Sequence, residues 1–190
     1  MFEQLKHIDT ELFLFLNGIH NTVFDFLMYW ISSPILWIPL YLFFIYLIYK
    51  NYPKQWWIYV VALILSVGLS DWISVHLFKD VFHRLRPCHN LELKGLVHIV
   101  HDHCGGRYGF VSSHATNMFS IAVFMTLLLY NKIKRIGFWL ILWASLIAYS
   151  RIYLGVHFPA DVFAGAILGS IIASILFVFI RWIAPPVIRK

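Results

Sequence analysis

Charged residues are scarce in this chain: Asp, Glu, Lys and Arg make up only 13% of its 190 residues. Soluble domains carry about 25% charged and about 45–50% apolar residues, whereas this chain is 61% apolar. The composition excludes a disordered chain, a coiled coil and a soluble nucleic-acid-binding domain. Because one small core cannot hide so much apolar surface, the excess must face lipid. We therefore predict a single membrane-embedded domain over residues 1–190. Its expected partner is the lipid bilayer, and no nucleic-acid partner is expected.

A recognisable secretory signal is also missing. Such a signal needs a cationic start and an apolar stretch of about 7–15 residues. Here Glu3 and Asp9 precede only five apolar residues, 12–16, and the turn-forming pair Asn17 and Gly18 follows. The segment predicts an N-terminal amphipathic helix on the membrane surface, with a weak sixth span as the alternative.

Long apolar runs, by contrast, are abundant. A helix needs about 20 apolar residues to cross the roughly 30 Å of bilayer hydrocarbon. We predict an all-α, polytopic membrane helix bundle with five to six transmembrane helices, the first one kinked or broken at Pro34 and Pro39. The predicted spans cover about 24–49, 56–78, 112 or 113 to 130, 133–149 and 159–182.

The basic residues orient these spans. The side with the Asn51 and Asn131 turns and the C-terminus holds eight of the 15 Lys and Arg residues, and the other side holds seven. Three of those seven, Lys79, Arg86 and Arg151, fall where spans end beside other polar residues, and setting them apart leaves eight against four. Because cytoplasmic loops carry the excess of positive charge, we expect a cytoplasmic C-terminus. The loop over residues 79–113 then faces the periplasmic or extracellular side of the cytoplasmic (inner) membrane.

Ionisable and hydroxyl side chains gather at that outer face, in three segments that are far apart in sequence. Charge near a bilayer is costly, so a cluster of this size indicates function rather than contact with lipid headgroups. The cluster comprises Lys79, Arg86, Ser112, Ser113, His114, Arg151, His157 and Asp161.

The chemistry of this cluster favours phosphoryl transfer. Its Lys and Arg residues suit a phosphate group, and Ser112 and Ser113 open a predicted helix whose free N–H groups attract an anion. Asp161, four residues after His157, can hold one imidazole nitrogen and leave the other as a nucleophile. His114 remains to deliver a proton to the leaving oxygen. This set predicts a phosphohistidine intermediate and needs no metal or other cofactor.

Three segments resemble the motifs of type 2 phosphatidic acid phosphatases. Residues 79–87, KDVFHRLRP, resemble the family's KxxxxxxRP motif, and residues 111–114, VSSH, are similar to its PSGH motif. Residues 150–161, SRIYLGVHFPAD, resemble SRxxxxxHxxxD. The resemblance covers about residues 56–180. It departs from the family at Val111, in place of Pro, and at Ser113, in place of Gly, where a Cβ comes close to the phosphate site.

The resemblance implies a role for each matching residue. His157 is expected to be the nucleophile, Asp161 the residue that orients it, and His114 the general acid. The residues expected to bind phosphate are Lys79, Arg86, Ser112, Ser113 (through its amide) and Arg151.

The segment from Cys88 to Phe110 is the least familiar part of the outer loop. Cys88 and Cys104 are the only cysteines, and both are expected on an oxidising side, which favours a disulfide. Free thiols remain open. A metal site also remains open because His101, His103 and Cys104 are a dense set of candidate ligands.

We therefore expect a metal-independent membrane lipid phosphatase that acts on a phosphate ester or diphosphate of a lipid. The candidate substrates are undecaprenyl diphosphate, lipid A phosphate, phosphatidylglycerol phosphate and phosphatidic acid. A non-enzymatic lipid or phosphate transporter is the alternative, although its ionisable groups would lie nearer the bilayer midplane. Gly165 and Gly169 form a small-residue helix face that suits packing inside the bundle or, as the other interpretation, a homodimer seam.

Overall fold

The computed structural model describes residues 2–102 and 104–185, and helices are the only extended regular elements in that part of the chain. One isolated bridge joins Leu85 to Tyr108. The predicted all-α class is confirmed. The α-helices are α1 (Phe2–Gly18), α2 (Thr22–Ser32), α3 (Ile38–Asn51), α4 (Trp56–Ile73), α5 (Asp80–Phe82), α6 (Ser113–Leu129), α7 (Ile136–Tyr153) and α8 (Pro159–Ile183).

Four stretches of the described chain are long and apolar enough to cross a membrane: Pro34–Asn51, Trp56–Phe82, Ile136–Tyr153 and Pro159–Ile183. The apolar helix α6 is shorter, at 17 residues. The predicted break at Pro34 is present: α2 ends at Ser32, and a 3₁₀ turn over Pro34–Trp37 separates it from α3. The segment that is long and apolar enough to span therefore begins at Pro34 and not at about residue 24. Pro39 causes no second break, since it lies in the first turn of α3, where a missing N–H costs little.

Helix α6 forms the centre of the bundle, with α4, α7 and α8 packed around it. Gly165 and Gly169 of α8 face α6, and a Cβ added at Gly165 would lie 2.7 Å from the carbonyl oxygen of Ser112. The small-residue face therefore lets two helices of the same chain approach closely, as in other membrane bundles. Dimerisation remains a prediction without support from this face.

The four central helices place their ends at two opposite poles. At one pole, which we call the His157 end, Ser74 after α4 bonds Ser113 of α6, and Ser112 bonds Asp161 of α8. At the other pole, the Tyr52 end, the Tyr52 hydroxyl donates to the Leu128 carbonyl near the end of α6, at 2.7 Å. All three motif segments consequently meet at the His157 end.

Helix α1 lies against the His157 end and is not among the four candidate spans. Its Phe13 and Asn17 are buried, whereas Leu5, Leu12 and Phe15 are exposed. The Asn17 amide nitrogen donates to the carbonyl oxygens of His98 and Tyr153, at 3.0 and 2.8 Å. This division into a buried and an exposed face agrees with the predicted amphipathic helix.

Candidate active site

His157 and Asp161 lie at the start of α8, where the chain leaves the α7–α8 turn. Pro159 begins the helix, and the Asp161 carboxylate accepts the Phe158 N–H at 3.0 Å, which caps the first turn. His157 Nδ1 lies 3.5 Å from Asp161 Oδ2, and both side chains are almost completely buried. The geometry therefore brings the imidazole to its carboxylate partner and leaves Nε2 on the far side of the ring.

Burial and positive charge both act on His157. Burial lowers the pKa of its imidazole well below the usual value of 6.5, and the cations Arg86, Arg151 and Lys79 lower the pKa further. His157 is thus neutral at physiological pH, the state in which an imidazole nitrogen can attack phosphorus.

Arg84 and Asp9 connect this pair to helix α1. Arg84 Nη1 lies 2.7 Å from Asp161 Oδ1, and Arg84 Nη2 lies 2.6 Å from Asp9 Oδ2. Asp9 Oδ1 in turn accepts the N–H of Ala160 in the first turn of α8, at 2.8 Å. The guanidinium also stacks over the Phe158 ring at 4.2 Å. The Asp161 carboxylate is therefore held by the Arg84 guanidinium as well as by the Phe158 N–H.

Sequence reasoning missed both of these residues. Arg84 lies at one of the variable positions of the KxxxxxxRP motif, so the resemblance assigns it no role. Asp9 belongs to a helix whose sequence suggested only a surface role. The signal that could have identified Arg84 is its position two residues before Arg86.

Lys79 and Ser113 meet at the junction of the first two motifs. Lys79 ends a π-helical turn, Ser74–Lys79, and its ammonium group donates to the Ser113 hydroxyl at 2.6 Å. That hydroxyl also bonds the Ser74 hydroxyl at 2.7 Å. The side chain that replaces the family's glycine thus anchors the lysine toward α4.

Ser112 caps the N-terminus of α6 and is fully buried. Its hydroxyl accepts the Ala115 N–H at 3.4 Å, and its own N–H donates to the Asp161 carbonyl at 3.0 Å. The second bond fixes the start of α6 against the start of α8. Two helix N-termini therefore point at the same region, and each favours an anion.

Arg86 and Arg151 reach this region from two separate segments, the loop after α5 and the last turn of α7. Arg86 donates through Nε to the Tyr108 carbonyl at 3.2 Å and through Nη1 to the Cys104 carbonyl at 3.0 Å. Burial lowers the pKa of this guanidinium. Arg151 donates through Nη1 to the Ser32 hydroxyl, and its buried Nε has no hydrogen-bond partner among the described residues. An unsatisfied buried donor is costly, so this nitrogen is suited to an incoming phosphate oxygen.

His114 lies in the first turn of α6 and lines a cavity of about 240 Å³ together with Arg151. The cavity opens between the α2–α3 break and the end of α7. Its remaining lining residues are Tyr29, Ser32, Ser33, Pro34, Val100, Leu154 and Val156.

The outer loop closes over Arg86 through a disulfide. Cys88 and Cys104 are bonded, with their Cα atoms 6.0 Å apart. This is the pairing that the sequence favours. His89 also lies close to both sulfur atoms, but a disulfide leaves neither cysteine as a thiolate ligand. The loop thereby places the Cys104 carbonyl where Arg86 bonds it.

Another loop histidine has a structural partner. His98 Nε2 lies 2.8 Å from Asp25 Oδ1, and its ring stacks on His20 at 3.7 Å between centroids. The Tyr153 hydroxyl also donates to Asp25, at 2.7 Å. His98 therefore ties the loop to α2 and α7. His103 lies outside the described residues.

Comparison with known proteins agrees with this arrangement. The pattern of the PAP2 superfamily matches residues 55–184. The chain is 38% identical over 171 residues to a lipid A 4′-phosphatase of Bacteroides thetaiotaomicron, covering 89% of this chain and 75% of that protein. A second lipid A 4′-phosphatase, from Porphyromonas gingivalis, is 34% identical over 176 residues, covering 92% of this chain and 74% of that protein.

Solved structures show the same similarity. LpxE from Aquifex aeolicus superposes with a TM-score of 0.68 at 30% identity, covering 89% of this chain and 94% of that chain. A transmembrane PAP2-type phosphatidylglycerolphosphate phosphatase from Bacillus subtilis superposes with a TM-score of 0.74 at 22% identity, covering 96% of this chain and 89% of that chain, and shares the fold. The resemblance seen in the three motifs is thus confirmed, and the chain belongs to the PAP2 superfamily.

Proposed function

We propose that this membrane lipid phosphatase removes the 4′-phosphate of lipid A. The observation that carries the proposal is its similarity, along about nine-tenths of its length, to two lipid A 4′-phosphatases. Hydrolysis of a phosphoester is the activity expected of a member of this superfamily, and the comparisons give no support to the transporter alternative.

In the proposed first step, His157 Nε2 attacks phosphorus as the bond to the leaving oxygen breaks. Asp161 holds the Nδ1 side of the ring and stabilises the cation that develops on it. His114 donates its proton to the leaving oxygen, which departs as an alcohol. In the second step, His114 accepts a proton from water and the water oxygen bonds to phosphorus. The bond between phosphorus and His157 Nε2 breaks at the same time, which releases inorganic phosphate and regenerates free His157.

Three cations neutralise the transferred group in this mechanism. Lys79, Arg86 and Arg151 lie near enough to His157 to lower the pKa of its imidazole. Their charge would stabilise the equatorial phosphate oxygens in the transition state, the role that metal ions fill in many other phosphoryl transfers. Ser112 and the N–H groups at the start of α6 complete the proposed phosphate site.

The cavity beside His114 is the proposed site of the leaving group. Tyr29, Ser32 and Ser33 bring hydroxyl groups to its wall. Hydroxyl groups suit a sugar, whose oxygens both donate and accept hydrogen bonds. Arg151 is the one cation among the described lining residues, which leaves little to bind the second phosphate of a diphosphate.

A lipid diphosphate is the second candidate. An undecaprenyl-diphosphatase of Sulfolobus acidocaldarius is 31% identical over 173 residues, covering 88% of this chain and 76% of that protein. The two candidates differ in the group that enters the cavity, so the substrate panel below separates them.

We also propose that the His157 end faces the periplasmic side of the inner membrane. The Tyr52 end carries Lys50, Lys54, Lys132 and Arg181 on described helix ends and turns, as expected of a cytoplasmic face. A disulfide in the loop at the His157 end fits an oxidising compartment.

The test is phosphate release from purified protein over a panel of lipids. The panel contains lipid A, undecaprenyl diphosphate, phosphatidylglycerol phosphate and phosphatidic acid, each presented in the same detergent. We expect the highest kcat/KM with lipid A, and tandem mass spectrometry of the product should show loss of the 4′-phosphate alone. A higher kcat/KM with undecaprenyl diphosphate would favour the second candidate, and loss of another phosphate of lipid A would contradict the proposed position.

A further inference from the structure

A second and larger cavity lies at the Tyr52 end, at the opposite pole from His157. Its volume is about 510 Å³, against about 240 Å³ for the cavity beside His114. Four separate segments contribute a cation to it: the end of α3, the α3–α4 turn, the α6–α7 turn and the end of α8. These cations are Lys50, Lys54, Lys132 and Arg181.

The positive charge of this cavity has no acidic counterpart. All nine Asp and Glu residues lie in the described chain, and none of them lines the cavity. Two of the cations lie near aromatic rings instead: Lys50 Nζ is 5.9 Å from the Tyr46 ring centroid, and the Arg181 guanidinium is 5.8 Å from the Phe177 ring. Cations gathered without a carboxylate repel one another and attract an external anion.

The general excess of positive charge at cytoplasmic span ends does not account for this placement. Lys134 and Arg135 lie at the same pole and satisfy the same topological rule, yet neither lines the cavity. The four lining cations come from different segments but surround one concave volume. Convergence of this kind is typical of a binding site.

The floor of the cavity is apolar. Tyr59, Leu128 and Phe177 line it and are buried. The Tyr52 hydroxyl donates to the Leu128 carbonyl, and its ring packs on the Tyr59 ring with 4.9 Å between centroids. Cations around an apolar floor at a span end match a ligand whose anionic group is attached to a hydrocarbon tail.

We propose that this cavity binds the phosphate group of an anionic phospholipid, at a site separate from the catalytic one. The shared chemistry is a phosphate oxygen contacting Lys and Arg, and free inorganic phosphate could supply it as well. The proposal does not depend on which lipid the His157 end hydrolyses.

The experiment uses phosphatidylglycerol, because its phosphodiester lacks the phosphomonoester on which the proposed activity acts. Protein in detergent is incubated with equimolar phosphatidylglycerol and phosphatidylcholine, and native mass spectrometry counts the lipids retained. The cavity variant is Lys54→Gln with Lys132→Gln, and the matched control is Lys134→Gln with Arg135→Gln. Each pair removes two positive charges from the same pole.

The wild-type protein and the control should retain one phosphatidylglycerol in preference to phosphatidylcholine. The cavity variant should bind it about 10-fold more weakly, as expected for the loss of two charge-assisted contacts. Equal losses in the two variants, or no loss in either, would overturn the proposal. Phosphatase activity in phosphatidylcholine should stay within about 2-fold of wild type in both variants, which checks that they fold. If the cavity variant fails this check, the single substitution Lys54→Gln replaces it, and Lys134→Gln is then its control.

A competition arm distinguishes the two sources of phosphate. Inorganic phosphate at millimolar concentration is added before the lipid, and the thermal midpoint is measured alongside lipid retention. If phosphate neither displaces the lipid nor raises the midpoint, the lipid is the ligand. If phosphate alone raises the midpoint in the control but not in the cavity variant, the site takes the free anion.

Discussion

Arg84 offers the sharpest test of how the nucleophile is positioned. Its guanidinium joins the Asp161 carboxylate, which is 0% exposed, to Asp9 on α1, while Arg84 itself is 25% exposed. Arg84→Met keeps much of the side-chain volume and removes the cation. Asp161 then keeps the Phe158 N–H but loses its charged partner, and α1 loses its link to the start of α8.

The magnitude follows from the burial of the pair. Removing one partner of a buried ion pair costs about 3–5 kcal/mol, and the partial exposure of Arg84 reduces the expected loss of folding stability to about 2–3 kcal/mol. In the proposed mechanism Asp161 acts through His157, so the loss should appear in kcat. Partners that orient a functional group typically contribute about 10–100-fold, equivalent to about 1.4–2.7 kcal/mol of transition-state stabilisation.

The assay measures phosphate release and separates kcat from KM. We expect Arg84→Met to lower kcat about 10–100-fold while KM changes less than about 3-fold. In the proposed mechanism Arg84 supports the His157–Asp161 pair and makes no contact with phosphate. Arg107→Met in the same loop is the matched control, because Arg107 is exposed and outside the described ion pairs. Arg84→Lys should rescue part of kcat, since an ammonium group can reach one of the two carboxylates.

A double-mutant cycle with Asp9→Ala completes this test. If Asp9 acts through Arg84, the two substitutions together should lower kcat little more than Arg84→Met alone. Wild-type kcat in folded Arg84→Met, or an effect confined to KM, would refute the positioning role.

Three further predictions concern the loop, the pH profile and metal. Cys104→Ser should lower the free energy of unfolding by about 3 kcal/mol, the chain-entropy value for a loop of this length. The substitution should also raise KM, because Arg86 bonds the Cys104 carbonyl. An unchanged thermal midpoint would contradict the stabilising role of the disulfide. Thiol labelling of unreduced, denatured protein from cells should find both cysteines blocked, and two freely labelled cysteines would refute the bond. Because the pKa of His157 is lowered, its neutral form persists as pH falls. The acid limb of kcat/KM that reports His157 should therefore lie below pH 6.5. An acid limb centred above pH 6.5 would contradict the lowered pKa. EDTA should leave activity intact and vanadate should inhibit, because in the proposed mechanism Lys79, Arg86 and Arg151 supply the charge that a metal would otherwise provide. Loss of activity on chelation, with recovery on adding Zn²⁺, would contradict this.

Much of the fold could be predicted because lipid imposes a simple rule on sequence. Apolar runs mark helices, and the observed α4, α6, α7 and α8 follow the predicted spans to within a few residues at most ends. The ends of antiparallel helices meet at one face, so motifs at residues 79–87, 111–114 and 150–161 were expected together. The structure places them together for that reason.

What could not be predicted depends on contacts between distant segments. Asp9 lies far in sequence from Arg84 and Ala160, and no local pattern signals that α1 docks on α8. Proline positions were also ambiguous, because Pro34 and Pro39 look alike in sequence. Only the helix register shows that Pro39 falls in a first turn, where it is tolerated.

The central claim is that phosphate passes through His157. Purified protein is mixed rapidly with lipid A, quenched in alkali and digested, and the phosphorylated peptide is sequenced by mass spectrometry. The account predicts an acid-labile phosphate on His157 that forms before product release, and predicts neither phosphopeptide nor turnover in folded His157→Ala. Full turnover in His157→Ala, or phosphate trapped on another residue, would contradict it.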